Sequence, residues 1–295
     1  MTRLTQNVGS STGESQLPPT NASAILETHA LTRRFGKAFA QRAVRHIAVN
    51  DLNLTVQAGE VFGLLGPNGA GKSTAIKMLT TLLPPSAGSA TIAGLDLTRQ
   101  AATVRRAIGY VPQALSADGS LTGYENLLIF AKLYDIPRKK RENYIRELLN
   151  FMGLQDAAHR LVQQYSGGMI RKLEIAQAIL HQPLVLFLDE PTVGLDPLAR
   201  SNVWELVERL RSNFGTTVFL TTHFMEEADS LCDRIAIMHQ GQVIVTGTPT
   251  ELKASLNQED ATLDDVFIHY TGDLLASGAN YRETSRIRRT AKRLG

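Results

Sequence analysis

Apolar positions along the chain fall into short runs separated by longer stretches of helical periodicity. The runs "AILETH" (24–29) and "IAVNDLNLTV" (47–56) alternate in the manner of strands, with the basic connection "RRFGKAFAQRAVRHI" between them. "VFGLLG" (61–66) predicts a buried strand, followed by a glycine loop and a helix from about Lys72 to Leu83. From Thr122 to about Leu161, "YENLLIFAKLYDI" and "RENYIRELLNFMGL" carry a 3.6-residue period, and Pro137 separates them into two helices. A further helix opens at "YSGGM". After it come strand "LVLFLD" (184–189), helix "LARSNVWELVERLRS", strand "TTVFLTT", helix "FMEEADSLC" and strands "RIAIMHQ" and "QVIVTG". Strands alternating with helices predict a mostly parallel sheet covered on both faces. No internal repeat is visible.

Composition narrows the class. The chain has 295 residues, 43% of them hydrophobic, which is enough for a proper core. Its apolar runs, such as "LVLFL" at 184–188, fall far short of the roughly 18–20 residues of a membrane span, so any membrane role comes through a partner. Residues 1–22 are polar and rich in Gly, Ser, Thr and Pro, without the apolar core of a secretory signal, and read as a disordered arm. Cys232 is the only cysteine, which excludes an internal disulfide and a cysteine-rich metal site and points to the cytosol. Of the net charge of +3, residues 276–295 hold +5, leaving −2 for the rest. A basic body suited to nucleic acid is absent; the tail is a solvated segment or one attracted to anionic lipid headgroups.

Two motifs carry phosphate chemistry. "GPNGAGKST" (66–74) fits G-x-x-x-x-G-K-[ST] through Gly66, Gly71, Lys72 and Ser73, with Pro67, Asn68, Gly69, Ala70 and Thr74 completing the loop. Its glycines let backbone amides converge on phosphate, Lys72 reaches the outer phosphates, and Ser73 offers a hydroxyl to Mg²⁺. "LVLFLDEP" ends a buried strand in two carboxylates: Asp189 suits the magnesium shell, and Glu190 can orient and deprotonate an attacking water. Ser166 and the amides of Gly167 and Gly168 form a second anion-binding helix start, one that serves a different nucleotide from that on the first loop.

In these motifs, from about Ala24 to Thr271, the sequence resembles the ATP-binding subunits of ATP-binding cassette transporters. That resemblance implies an α/β fold of the P-loop NTPase, ABC ATPase type: a mixed parallel sheet core, an N-terminal antiparallel β-subdomain and a helical insert at about 114–170. It implies boundaries of 23–247 for the ATPase domain and 248–275 for a short helical extension. By the same resemblance, Gln113 in "GYVPQ" links magnesium and water to the membrane partner, and Asp196 in "VGLDP" lies in the loop crossing between subunits. His223 in "LTTHFMEEAD" matches the switch histidine at the γ-phosphate, and Ser166, Gly167 and Gly168 cap the γ-phosphate held by the other subunit. Phe35 in "RRFG" matches the aromatic that stacks on adenine, with Phe39 as the alternative. Tyr165, Gln177 and Ile179 depart from the commonest signature without removing a phosphate contact.

"GGM" followed by "LEIA", and "TLDDVFIHYTG" at 262–272, are similar to the daunorubicin-type, ABC-2 exporters. The implied protein is a peripheral ATPase at the cytoplasmic face of the cell membrane. It would dimerise around two Mg·ATP and drive export of a drug, lipid or polysaccharide-like cargo through a separate permease. The rivals are a soluble cassette ATPase of translation or DNA repair, and a P-loop kinase of a small molecule. The long coiled coil or second cassette of the first is absent, and the second has no use for the signature, Asp196 and His223 together.

Overall fold

The computed structural model describes residues 24–36, 46–258 and 260–272. The two N-terminal runs form antiparallel strands longer than their alternation indicated, β1 (Ala24–Phe35) and β2 (His46–Gln57). The basic connection is correspondingly shorter, because Arg33 and Arg34 continue the ladder opposite Val49 and Ile47. Phe39, the arm 1–22 and the tail 276–295 lie outside the described residues.

Strand β3 (Val61–Leu65) leads through the glycine loop into α1 (Lys72–Leu79), which stops short of Leu83. Thr81 enters the left-handed region at φ 61°, and Pro84 and Pro85 follow, so the helical ladder cannot continue. Strands β4 (Ala87–Ile92) and β5 (Leu95–Asp96) complete a four-stranded antiparallel sheet in the order β2-β1-β4-β5. Sequence reasoning assigned no element to this stretch, since the first half of β4 (Ala87, Gly88 and Ser89) is exposed and has no large apolar residue to set an alternation.

Helix α2 (Ala101–Ala107) runs directly into β6 (Ile108–Val111). The insert follows. Helix α3 (Gly123–Leu133) opens on a capping box of Thr122 and Glu125, and α4 (Arg138–Phe151) has Pro137 at its N-cap. Helix α5 (Gly167–Ile179) returns the chain to the core, where β7 (Val185–Asp189), α6 (Pro197–Phe214), β8 (Thr217–Thr222), α7 (Met225–Leu231), β9 (Arg234–His239) and β10 (Gln242–Gly247) alternate. The short helices expected after 247 are α8 (Pro249–Ala254) and α9 (Leu263–Thr271).

The second sheet has the order β10-β9-β3-β8-β7-β6, parallel throughout except for β10. Alternation divides each central strand between two cores. Val61, Leu65, Leu186, Leu188, Val218 and Leu220 face the cluster beneath α5 and α6. Phe62, Leu64, Phe187 and Phe219 face the cluster shared with α1 and the antiparallel sheet. There Phe219 packs against Phe62 at 5.6 Å and Phe187 at 5.4 Å between ring centroids, so three strands that carry site loops are locked to one another. Phe219→Ala, which empties the middle of this stack, is expected to lower unfolding free energy by about 3–5 kcal/mol; a denaturant titration with a loss below about 1 kcal/mol would show that the stack does not hold the strands.

Candidate active site

Strands β3, β8, β7 and β6 lie side by side and parallel, so their C-terminal ends open on one edge of the sheet. Leu65 stands opposite Thr222, Thr221 opposite Asp189, and Leu188 opposite Val111. The four segments that follow carry the chemistry, as expected where ligands meet open α/β sheets.

The loop after β3 is pinned from two sides. Gly71 has φ 108°, and a Cβ there would come 2.3 Å from the Ala48 carbonyl oxygen of β2. From the other side, the Gly241 amide donates to the Ala70 carbonyl at 2.8 Å. Lys72 is buried, and its Nζ donates to the carbonyls of Gly66 (2.8 Å) and Pro67 (3.2 Å) while standing 3.2 Å from Glu190 Oε1. The ammonium is thus folded over the concave side of its own loop, where an anion would meet it.

Asp189 ends β7 with its Oδ1 accepting from Thr221 Oγ1 at 2.6 Å and Ser73 Oγ at 3.3 Å. Burial pushes its carboxyl above the ordinary value, the Thr221 hydroxyl opposes this, and the neighbouring Glu190 charge adds to it. The phenol of Tyr110 is pushed up to about 12, by burial first and then by Asp189. A hydroxyl and a carboxylate oxygen, hard donors on one side of the loop, suit Mg²⁺.

Glu190 is the meeting point. Its backbone takes φ 48°, a strained value for a side chain of this kind, and its amide is fixed by both the carbonyl and the hydroxyl of Thr221, each at 3.1 Å. Oε1 faces Lys72; Oε2 faces Gln113 Nε2 at 3.3 Å and His223 Nδ1 at 3.1 Å. Three loops therefore converge on one carboxylate that is about 5% exposed.

Ser166, Gly167 and Asp196 are exposed at the starts of α5 and α6, while Gly168 is buried. Ser166 Oγ caps α5 by accepting from the Met169 amide at 3.3 Å, and Asp196 caps α6 by accepting from Ala199 at 2.8 Å. A Cβ on Gly168 would lie 2.9 Å from that of Ala199, so close helix packing also demands this glycine. Phe35 ends β1 with its ring 39% exposed beneath the Arg33 guanidinium.

Several buried polar residues escaped sequence reasoning. Thr221 was hidden in a strand of otherwise apolar type. Glu227, fully buried on α7, accepts from Thr192 Oγ1 (2.8 Å) and Trp204 Nε1 (3.1 Å), and burial pushes its carboxyl up. Arg171 and Glu174, to which the sequence assigned no role, are buried on α5. Their only signal was an i,i+3 pair of opposite charge.

Comparison with known proteins places this geometry. The ABC transporter family profile matches residues 49–193. The daunorubicin resistance ATP-binding protein DrrA3 of Streptomyces coeruleorubidus is 44% identical over 232 residues, covering 79% of this chain and 72% of that protein. The chain belongs to the ABC transporter ATP-binding family. The linearmycin resistance ATP-binding protein LnrL of Bacillus subtilis (strain 168) is 40% identical, covering 75% of this chain and 69% of its own. With the daunorubicin/doxorubicin resistance ATP-binding protein DrrA of Streptomyces peucetius, identity is 51% over 71% of this chain, which spans 63% of that relative's length, a little under two thirds. A solved ATP-binding subunit of an ABC transporter superposes with a TM-score of 0.70 at 31% identity, covering 84% of this chain and 99% of the other. The α/β cassette implied by the resemblance is the fold observed.

Because burial raises the native Asp189 carboxyl above its unfolded-state value, the native chain binds that proton more tightly, and stability falls as pH rises through the interval between the two. Asp189→Asn is therefore expected to raise the melting temperature of nucleotide-free protein near neutral pH by about 2–4 °C, with the gain shrinking as pH falls into the ordinary carboxylate range. Scanning fluorimetry across pH that finds a lower melting temperature, or a gain independent of pH, contradicts this.

Proposed function

We propose that the chain is the ATP-hydrolysing subunit of an exporter: it binds Mg·ATP, pairs with a second copy around two nucleotides, and drives a separate membrane permease of the ABC-2 class. The observation that carries the reading is the convergence of Lys72, Gln113 and His223 on the Glu190 carboxylate. That arrangement suits a base held between a phosphate loop and two side chains able to place a water and a γ-phosphate.

In this reading the amides of 66–74 and Lys72 hold the phosphates, and Glu190 accepts the proton of the attacking water. His223 and Gln113 fix the γ-phosphate and that water relative to Glu190. Magnesium, when bound, neutralises charge on the phosphate oxygens; Ser73, Asp189 and Gln113 are the residues to hold it. Phe35 stacks on adenine. Ser166, Gly167 and Asp196, exposed at the starts of α5 and α6, serve the nucleotide of the second copy together with the buried Gly168. Among the described residues no helix is long and apolar enough to cross a membrane, which accords with a permease on a separate chain that docks at the insert of 114–170. The placement at the cytoplasmic membrane face follows from that partner. The names of the relatives, which are resistance proteins toward daunorubicin, doxorubicin and linearmycin, favour export of an amphipathic drug-like or lipid-like cargo.

Glu190→Gln is expected to lower turnover by about 10²–10⁴-fold while ATP affinity is kept, because a general base contributes about that much. Near-normal ATPase activity in that variant would defeat the assignment of Glu190. Isolation of the tagged chain from native membranes in mild detergent is expected to bring down a stoichiometric multi-span protein; recovery with ribosomes or DNA instead would overturn export and leave the ATPase reading standing.

A further inference from the structure

Segment 112–117, which carries Gln113, makes no backbone–backbone hydrogen bond of its own among the described residues. Its shape comes from two charged side chains of α5. Arg171 Nη1 donates to the Pro112 carbonyl (2.7 Å) and Nη2 to the Gln113 carbonyl (2.9 Å). Glu174 Oε1 accepts from the Ser116 amide, the Ser116 hydroxyl (3.1 Å) and the Ala117 amide (3.3 Å). The two side chains are themselves joined, Arg171 Nη1 to Glu174 Oε2 at 3.0 Å, and are 1–2% exposed.

Taking two charges out of water costs more than a simple packing role would justify, since an apolar pair of the same volume fills such a place at least as well. What an apolar pair cannot do is hold two carbonyls and two amides of an irregular segment at fixed positions. The next turn of α5 extends the grip: Gln177 Nε2 donates to Asn126 Oδ1 (3.2 Å), which also accepts from the Asp118 amide (3.0 Å).

We propose that Arg171 and Glu174 are positioning residues for Gln113: this buried ion pair fastens the Gln113 segment to α5 and thereby aims the Gln113 amide at Glu190. Ser166 caps the same helix five residues before Arg171, about 7 Å along its axis. The clamp therefore makes Ser166 and the Gln113 segment parts of one rigid piece. It rests on the assignment of Gln113 and Glu190 to hydrolysis.

The test is a double-mutant cycle on the full chain, read as kcat, KM for ATP and affinity for a fluorescent ATP analogue. Glu174→Gln keeps an acceptor for Ser116 and Ala117 but loses the charge that holds Arg171. Its kcat is expected to fall by about 10–10² fold, the scale of a misplacement near 1 Å, with nucleotide affinity within about threefold of the parent. Glu174→Asp should recover part of the loss. Because the clamp acts through Gln113, adding Glu174→Gln to Gln113→Ala should lower kcat no further.

Additive losses in the double variant, or lost nucleotide affinity in Glu174→Gln, would assign the pair to general stability and overturn the proposal. A near-normal kcat in Glu174→Gln beside an impaired Gln113→Ala overturns the clamp alone. A near-normal Gln113→Ala removes the role of Gln113 and the clamp with it.

Discussion

The Glu190 carboxylate, shut away from water and faced by Lys72, Gln113 and His223, is the constraint on which the remaining structure depends. A buried anion is tolerable only when its neighbours compensate it, and these neighbours come from the ends of different strands. Their meeting requires that β3, β8, β7 and β6 finish level and stay parallel. The Phe62–Phe219–Phe187 stack on one face, and the aliphatic side chains under α5 and α6 on the other, hold that alignment.

The same logic extends outward. Thr221 fixes both carboxylates at once, giving its hydroxyl to Asp189 while accepting from the Glu190 amide. Behind it, Glu227 joins Thr192, just past Glu190, to Trp204 of α6. On the far side, Arg171 and Glu174 hold the segment of Gln113. Buried polar groups on secondary elements thus set the positions of loops that have little regular structure of their own, an arrangement in which rigidity is supplied from behind the site.

Much of this was legible in the order of residues, and the limits have physical causes. The phosphate loop, the acidic strand end and His223 each follow a short apolar run, and a parallel strand announces itself by just such a run. The antiparallel subdomain was harder to see: β4 is half exposed, and Arg33 and Arg34 extend β1 through a stretch whose charge reads as a loop. The inward direction of Arg171, Glu174 and Glu227 could not be read at all, because a charged residue on a helix is ordinarily a solvated one and only the packing of α5 and α7 turns these toward the core. Gly168 shows the opposite case: its phosphate-binding reading was evident, while its close approach to Ala199 is visible only in three dimensions.

The central claim is that each hydrolytic site is divided between two copies, with Lys72 and Glu190 from one and Ser166 from the other. The most direct measurement is ATPase activity in a mixture of two inactive variants, Lys72→Ala and Ser166→Ala. In a mixed pair, one site would carry both lesions and the other would be intact, so the mixture should hydrolyse ATP although neither variant does so alone. A mixture that stays as inactive as its components, while the two variants are seen to associate, would contradict the shared site.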